Sequence, residues 1–379
     1  MRKTAKGPLP RPPARSGFRF PAEWERHEAT WIGWPHCRAD WPGKFAPVPW
    51  VYGEIVRRLV RGENARVLVN SASHEQHARR LLGRVGADLR SVEFFRIPTD
   101  RGWTRDFGPV FLRRDGRGDA ELAVVDFHFN GWGKYPNCHR DARVARHVSA
   151  RLGYRLLQAT AGGRAFVLEG GSIDVNGRGT LLTTEECLLD PEVQCRNPGL
   201  DRRGIERILA DYLGANNVLW LGRGIAGDDT HGHVDDVCRF AGPRTIVLCQ
   251  EGDPRDANYR TLQENRERLQ GMRLEDGSKP EIVLLPMPAP LYFNGQRLPA
   301  SYANFYISNG AVLVPTFNDP HDRVALNTLG ELMPDRPVVG IHAVDLIWGL
   351  GTLHCLTQQQ PAADARSGKV WRNPPKETV

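Results

Sequence analysis

The feature of this sequence that most constrains its fold is a long, degenerate repeat. Four segments share one order of parts: a polar head, a strand, a tight turn and an apolar strand. They read TRDFGPVFLRRDG, EGGSIDVNGRGTLLTTEEC, GHVDDVCRFAGPRTIVLCQ and SYANFYISNGAVLVPTF. Their heads Asp106, Glu169, Asp235 and Asn304 are 63, 66 and 69 residues apart, and Cys355 follows the last by 51. Such a period predicts a radial or stacked array. In a radial array equivalent strand ends converge, so two aspartates, a glutamate, an asparagine and a cysteine would meet at one point. Asn176-Gly177 and Asn309-Gly310 are the strongest turn signals inside the repeats.

Around these segments, short apolar runs alternate with helical patterns. ARVLVN, SVEFFRIP, GPVFLRR, LAVVDFHF, VLWLG, RTIVLCQ, EIVLLPM and AVLVPTF have the length and β-branched content of strands. VYGEIVRRLVR, HEQHARRLLGRVG, RRGIERILADYLG and DRVALNTLGELM read as helices. The alternation predicts an α/β fold rather than an all-β sandwich. No shift in composition divides the 379 residues, so a single domain is expected.

Charge narrows the function classes. The net charge is +7, but residues 1–16 carry five cations and residues 366–379 carry four against Glu377. Between these basic tails, the first of them proline-rich and expected to be disordered, the body carries a net charge of about −1. A nucleic-acid face would put its charge on the folded body, so nucleic acid is not an expected partner. No run approaches the ~18 apolar residues of a membrane helix, and residues 1–16 lack the apolar core of a secretory signal. A cytoplasmic location is expected. Seven scattered cysteines without a CxxC pair fit reduced thiols.

Chemistry gathers near the C-terminus, in GLGTLHCLTQQQP. If HCLT is extended, His354 and Cys355 point to opposite faces, so His354 reads as structural and a base for Cys355 must come from elsewhere. Gly349 and Gly351 would let backbone approach a ligand closely. Candidate bases lie in DDTHGHVDD, where an extended chain puts His231, His233 and Asp235 on one face. That string also admits a zinc hydrolase site, since histidines and carboxylates bind zinc, although no further histidine cluster supports it. Glu169 stands at a strand end before two glycines, and Asp106 stands close to Trp103.

A guanidinium group fits this set. It is planar, cationic and all donor, and carboxylates match its fork. Trp103 could supply an aromatic face, worth about 0.5–2 kcal/mol. Cysteine attack on the central carbon would form a tetrahedral adduct and expel ammonia, and water would then release a carbonyl product. The substrate's cation and a nearby imidazolium would both favour thiolate. No metal or other cofactor is required. A protein that only binds guanidino compounds or nucleic acid is the rival from outside catalysis.

The sequence resembles the agmatine deiminase family, which shares its fold with the bacterial peptidyl-arginine deiminases. The resemblance rests on PAEWERHEATWIGWP, WTRDFGPVF, FNGWGKY, LEGGSIDVNGRGTLLTTEECLL, DDTHGHVDD, ASYANFYISNGAVLVPTFNDP and LHCLTQQQP, and spans roughly residues 17–363. It implies a five-bladed, pseudo-symmetric α/β propeller (the pentein fold) over a catalytic domain at 17–365. It also implies roles: Cys355 as nucleophile, His233 as proton shuttle, and Asp106 and Asp235 as the carboxylates that grip the guanidinium. Glu169 would pair with the histidine, Trp103 would flank the alkyl chain, and Gly351 would line the substrate. Leu350 and Thr352 depart from the family's usual glycine and asparagine, and His231 from a frequent aspartate. The activity implied is conversion of agmatine and water to N-carbamoylputrescine and ammonia, on the route to putrescine. The alternatives are peptidyl-arginine deimination and a metal-dependent hydrolase using His231, His233 and Asp235. The partner implied is a small guanidino molecule, and a homo-oligomer is compatible with it.

Overall fold

A computed structural model describes residues 11–116 and 118–363. In it each repeat becomes a small sheet of its own, and all four follow one rule. A short opening strand pairs antiparallel with a longer middle strand, which pairs parallel with a third. The first sheet comprises Val110–Arg114, Glu121–Asp126 and Arg155–Gln158. The second comprises Asp174–Val175, Thr180–Thr184 and Asn217–Leu221. The third comprises Cys238–Phe240, Thr245–Gln250 and Glu281–Pro286. The fourth comprises Tyr306–Ile307, Val312–Thr316 and Val338–His342.

A fifth sheet obeys the same rule using both ends of the described chain. Its opening strand Thr357–Pro361 pairs antiparallel with His27–Gly33, from Pro361 opposite His27 to Thr357 opposite Ile32. Asn64–Val69 and then Val92–Arg96 continue it in parallel. The strand that follows Cys355 is therefore fixed by the first strand of the fold. The five sheets do not merge into one closed sheet among the described residues.

Parallel pairing needs a crossover, and in each sheet a helix supplies it between the middle and third strands: Val144–Leu152, Arg202–Leu213, Asn258–Gly271, Pro320–Leu332 and Val48–Leu59. Local chemistry marks their ends. Asp201 caps Arg202–Leu213 through the Gly204 amide, and Gly214 closes it at φ 75°. Asp319 and Asp322 form a capping box on Pro320–Leu332. The middle strands read as almost continuous apolar runs because helices cover them and both faces are buried.

All eight expected strands and all four expected helices are present, and the alternation is α/β within one domain. Two helices carried no clear sequence pattern. Asn258–Gly271 is mostly polar and buries only a narrow stripe of Asn258, Leu262, Asn265 and Leu269, and Val144–Leu152 is short. Of the basic tails, residues 1–10 and 364–379 lie outside the described residues. Residues Ala14–Ser16 form a helical turn after the buried Pro13, a little before the expected start at residue 17.

Candidate active site

The polar heads sit on the turns that precede each opening strand. Asp106 lies in the turn Thr104–Phe107, and Glu169 directly precedes the turn Gly170–Ser172. His233 precedes Val234–Asp236, which carries Asp235. Asn304 precedes Tyr306–Ile307, and His354 and Cys355 lie in the turn Leu353–Leu356. The repeat thus delivers one equivalent position per sheet.

Two glycines allow the close approach. A Cβ on Gly171 would fall 2.5 Å from His233 Nδ1, 2.9 Å from Asp106 Oδ1 and 3.1 Å from Asp235 Oδ2. Gly171 is therefore wedged among three candidate side chains. A Cβ on Gly351 would lie 2.8 Å from the Trp103 ring and 3.2 Å from the Cys355 sulfur. Only glycine fits either place.

Cys355 is 7 % exposed. Asn304 Nδ2 donates to its sulfur at 3.0 Å, and Asp235 Oδ2 lies 3.7 Å away. Asn304 Oδ1 accepts from the Thr352 hydroxyl at 2.7 Å and from the His354 amide at 3.1 Å, which fixes its orientation. Asp106 accepts from Trp132 Nε1 at 2.9 Å and from the Gly171 amide at 3.0 Å, with His233 Nδ1 3.8 Å away. Glu169 uses Oε1 to bind Arg196 at 3.1 Å. Three buried atoms here have no hydrogen-bond partner among the described residues: Glu169 Oε2, His233 Nε2 and Asp235 Oδ1.

The electrostatics follow from crowding acids in a dry place. Burial raises the Asp106 carboxyl to about 6, with His233 opposing and Asp235 and Glu169 reinforcing. Burial, then Asp235, Asp236 and Asp106, push the Cys355 thiol well above its ordinary value, against the Asn304 hydrogen bond. Burial alone would lower His233, but Asp106 and its other neighbours outweigh that and raise it. Asp235 is lowered despite burial, because His354, His233 and Arg239 face it. Without a ligand the site holds a neutral thiol next to carboxylates.

Two sequence expectations are corrected. HCLT is not extended: it forms a helical turn, and His354 and Cys355 converge on the same carboxylate rather than pointing apart. Leu350 at φ 68° redirects the chain just before that turn. Nor is H-x-H-x-D extended. His231 at φ 61° and Gly232 at φ 89° bend it, and His231 binds Asp190 at 2.9 Å and faces Glu186. Among the described residues no cluster of donor atoms groups His231 with His233 and Asp235; the clusters are Glu169, Cys187, His233 and Asp235, Asp236, Cys355. The three-residue metal set therefore does not form.

Asn304, expected at the convergence as the head of the fourth repeat, is there against the Cys355 sulfur. Other participants were missed. Trp132 and Glu23 lie in the stretches FNGWGKY and PAEWERHEATWIGWP but were given no role, and Arg196 carried no signal of its own.

A cavity of about 380 Å³ opens onto Cys355, Asp106, Trp103 and Gly351. Its wall and mouth include Trp132, Phe293, Trp348 and Leu350 together with Asp40, Arg101 and Asp229. Arg101 is the only cation among the lining residues, and it pairs with Asp40, which also accepts from Trp103 Nε1 at 3.1 Å. Asp229 bonds Lys134 and accepts from the Tyr135 hydroxyl at 2.7 Å. The described cysteines are all free. No helix among the described residues is long and apolar enough to cross a membrane.

Comparison with known proteins agrees with this geometry. Residues 19–361 match the family model described as Porphyromonas-type peptidyl-arginine deiminase. The chain is 36% identical over 376 residues to the agmatine deiminase of Pseudomonas aeruginosa, covering 92% of this chain and 97% of that protein. A solved agmatine deiminase of Enterococcus faecalis is 32% identical, superposes with a TM-score of 0.85, and is covered completely by 95% of this chain. A solved putative arginine deiminase from Porphyromonas gingivalis is 38% identical with a TM-score of 0.81, covering 92% of this chain and all of that one.

Proposed function

Because the chain belongs to the Porphyromonas-type peptidyl-arginine deiminase family, we propose that it converts agmatine and water to N-carbamoylputrescine and ammonia through a covalent intermediate on Cys355. It is an enzyme that acts on a guanidino C–N bond. The observation that carries the finer reading is the set of buried atoms without a partner among the described residues: Asp235 Oδ1, on the carboxylate that faces the Cys355 sulfur, with Glu169 Oε2 and His233 Nε2. An unsatisfied buried polar group costs about 1–3 kcal/mol. A guanidinium, with hydrogens in a flat fork, satisfies carboxylate oxygens on opposite sides at once.

In this reading Asp106 and Asp235 hold the cation against the Trp103 side of the cavity. Its charge offsets the carboxylates that keep the thiol protonated, so binding itself favours loss of the thiol proton to water and leaves the thiolate. The sulfur attacks the guanidino carbon. The tetrahedral adduct collapses with breakage of one C–N bond, and His233 gives its proton to the departing ammonia, leaving a thiouronium on Cys355. Water then attacks the same carbon, His233 takes a proton from it, and breakage of the C–S bond releases the ureido product and the thiolate. Glu169 supports His233, and Asn304 stabilises the sulfur anion by its hydrogen bond. We further assign the five like-patterned sheets to a five-bladed propeller with the site on its axis, and the product to putrescine supply.

The choice of agmatine over free arginine rests on the mouth. The two cations at the mouth, Arg101 and Lys134, are already held by Asp40 and Asp229. Neither is free to take a substrate carboxylate, which favours agmatine. A panel assay for ureido product with agmatine, arginine and an arginine peptide tests the reading. Agmatine should be turned over with the highest kcat/KM; preference for the peptide would transfer the assignment to peptidyl-arginine. Turnover lost on exhaustive chelation and restored by a divalent ion would replace the thiol route with a metal-dependent one.

A further inference from the structure

We propose that His354 is a positioning residue, clamped between Glu23 and Asp235 with a hydrogen on each ring nitrogen, and that this clamp keeps Asp235 aimed at the substrate. The proposal rests on the reading of Asp235 as a guanidinium ligand. The geometry is direct. His354 Nδ1 lies 2.7 Å from Asp235 Oδ2, and Nε2 lies 2.9 Å from Glu23 Oε2. A neutral imidazole donates from one nitrogen only, which would set the other nitrogen's lone pair against a carboxylate oxygen. Both contacts are satisfied at once when both nitrogens donate. His354 is 1 % exposed, so no solvent relieves a mismatch.

Charge balance supports the same assignment. Glu23 is a buried hub: it takes Arg105 Nη2 at 3.1 Å, Arg239 Nη2 at 3.0 Å, His354, and the Ile307 amide at 2.8 Å. Arg239 also binds Asp174 at 3.1 Å. The group therefore sets three carboxylates, Glu23, Asp174 and Asp235, against two guanidiniums. A doubly protonated His354 makes it neutral, which a dry interior demands. Burial would raise Glu23, yet Arg239, His354 and Arg105 hold it well below the usual carboxylate range.

The consequence falls on Asp235. One oxygen, Oδ2, is committed to His354, and Oδ1 is left unpartnered at the site. His354 thus divides the carboxylate between anchoring and binding. It is not the base for its neighbour Cys355; it holds the acid that faces both Cys355 and the substrate. Glu23, on the segment leading into the first strand, reaches the centre through it.

Two measurements test the clamp. Nitrogen-15 histidine spectra of the full-length wild-type protein at neutral pH, assigned against His354→Gln, should show both His354 ring nitrogens protonated. This reading needs no turnover, so it separates failure of the clamp from failure of the deiminase assignment, which wild-type ammonia release from agmatine tests alone. In kinetics, His354→Gln should lower kcat/KM for agmatine on the order of 100-fold, mainly through KM. Its acid limb, set by Asp106 in the wild type, should move to higher pH as Asp235 joins the titration, because Asp235 keeps His233 and Arg239 but loses its nearest cation while Asp236 and Asp106 still face it. Glu23→Gln, which leaves the bond to Asp235, should move KM less. One unprotonated ring nitrogen in the wild-type spectrum would overturn the proposal. So would a folded His354→Gln with wild-type KM and acid limb; if that variant does not fold, the wild-type signals, assigned through Glu23→Gln, decide.

Discussion

The floor of the cavity and its mouth are built by different rules. The floor gathers equivalent turns from the repeated sheets, and its side chains are buried, carboxylate-rich and fixed by hydrogen bonds: Asp106 to Trp132 and Gly171, Cys355 to Asn304, Asp235 to His354. The mouth comes from connections outside that pattern, such as the small hairpin of Tyr292–Phe293 and Gln296–Arg297, Trp348 and Leu350. Of its ion pairs, Arg101 with Asp40 is largely buried and Lys134 with Asp229 reaches towards solvent. The contrast teaches that reaction type is written in the floor and substrate choice in the mouth. Substitutions below should therefore strike kcat or all substrates alike, and those above should change their ranking.

The largest expected effect is Cys355→Ala. It removes the bond-forming atom, so turnover of every guanidino substrate should fall on the order of 10⁴-fold or more, with the melting temperature little changed. Ammonia release and thermal unfolding measure both. Next comes the acid limb. Asp106 loses its proton near pH 6 in the free enzyme, so kcat/KM should drop about tenfold per unit below that value as the carboxylate protonates and releases its grip. An Asp106→Asn variant should be weak throughout and lose that limb.

At the mouth the effects should be smaller and substrate-dependent. Asp229→Asn should raise KM for agmatine about 3–10-fold, by weakening attraction to its distal ammonium, while kcat stays within twofold and arginine suffers less. Equal losses for both substrates would erase the proposed division between mouth and floor. The smallest effect concerns Leu350, held at φ 68° with a half-buried side chain. Leu350→Gly relieves left-handed strain of about 1–2 kcal/mol as it loses packing, so it should be more stable than Leu350→Ala, which loses packing and keeps most of the strain. Thermal melts rank the pair.

The same contrast governs what could be read from the chain alone. The floor was legible because the repeat places Asp106, Glu169, Asp235, Asn304 and Cys355 at equivalent points, and each adjoins a strand of clear pattern. What stayed hidden is what folding brings in from elsewhere. Arg196 reaches Glu169 across 27 residues and Glu23 reaches His354 across 331, and no spacing rule connects such pairs. His354 was read as structural from an extended backbone; the backbone turns, and the residue meets Asp235 instead. The His231 face failed likewise, because a positive φ at His231 and Gly232 broke the assumed alternation. Strand periodicity forecast the sheets well but the turns between them poorly, since one residue in the left-handed region reverses which side chains share a face.

The central claim is that Cys355 carries the guanidino carbon between the two half-reactions. Rapid acid quench of the enzyme with agmatine, followed by intact-mass and peptide analysis, tests it most directly. The account predicts a transient mass gain equal to agmatine less one ammonia, confined to the peptide containing Cys355. Full turnover in a Cys355→Ala variant, with no adduct on the wild-type enzyme at any quench time, would contradict it.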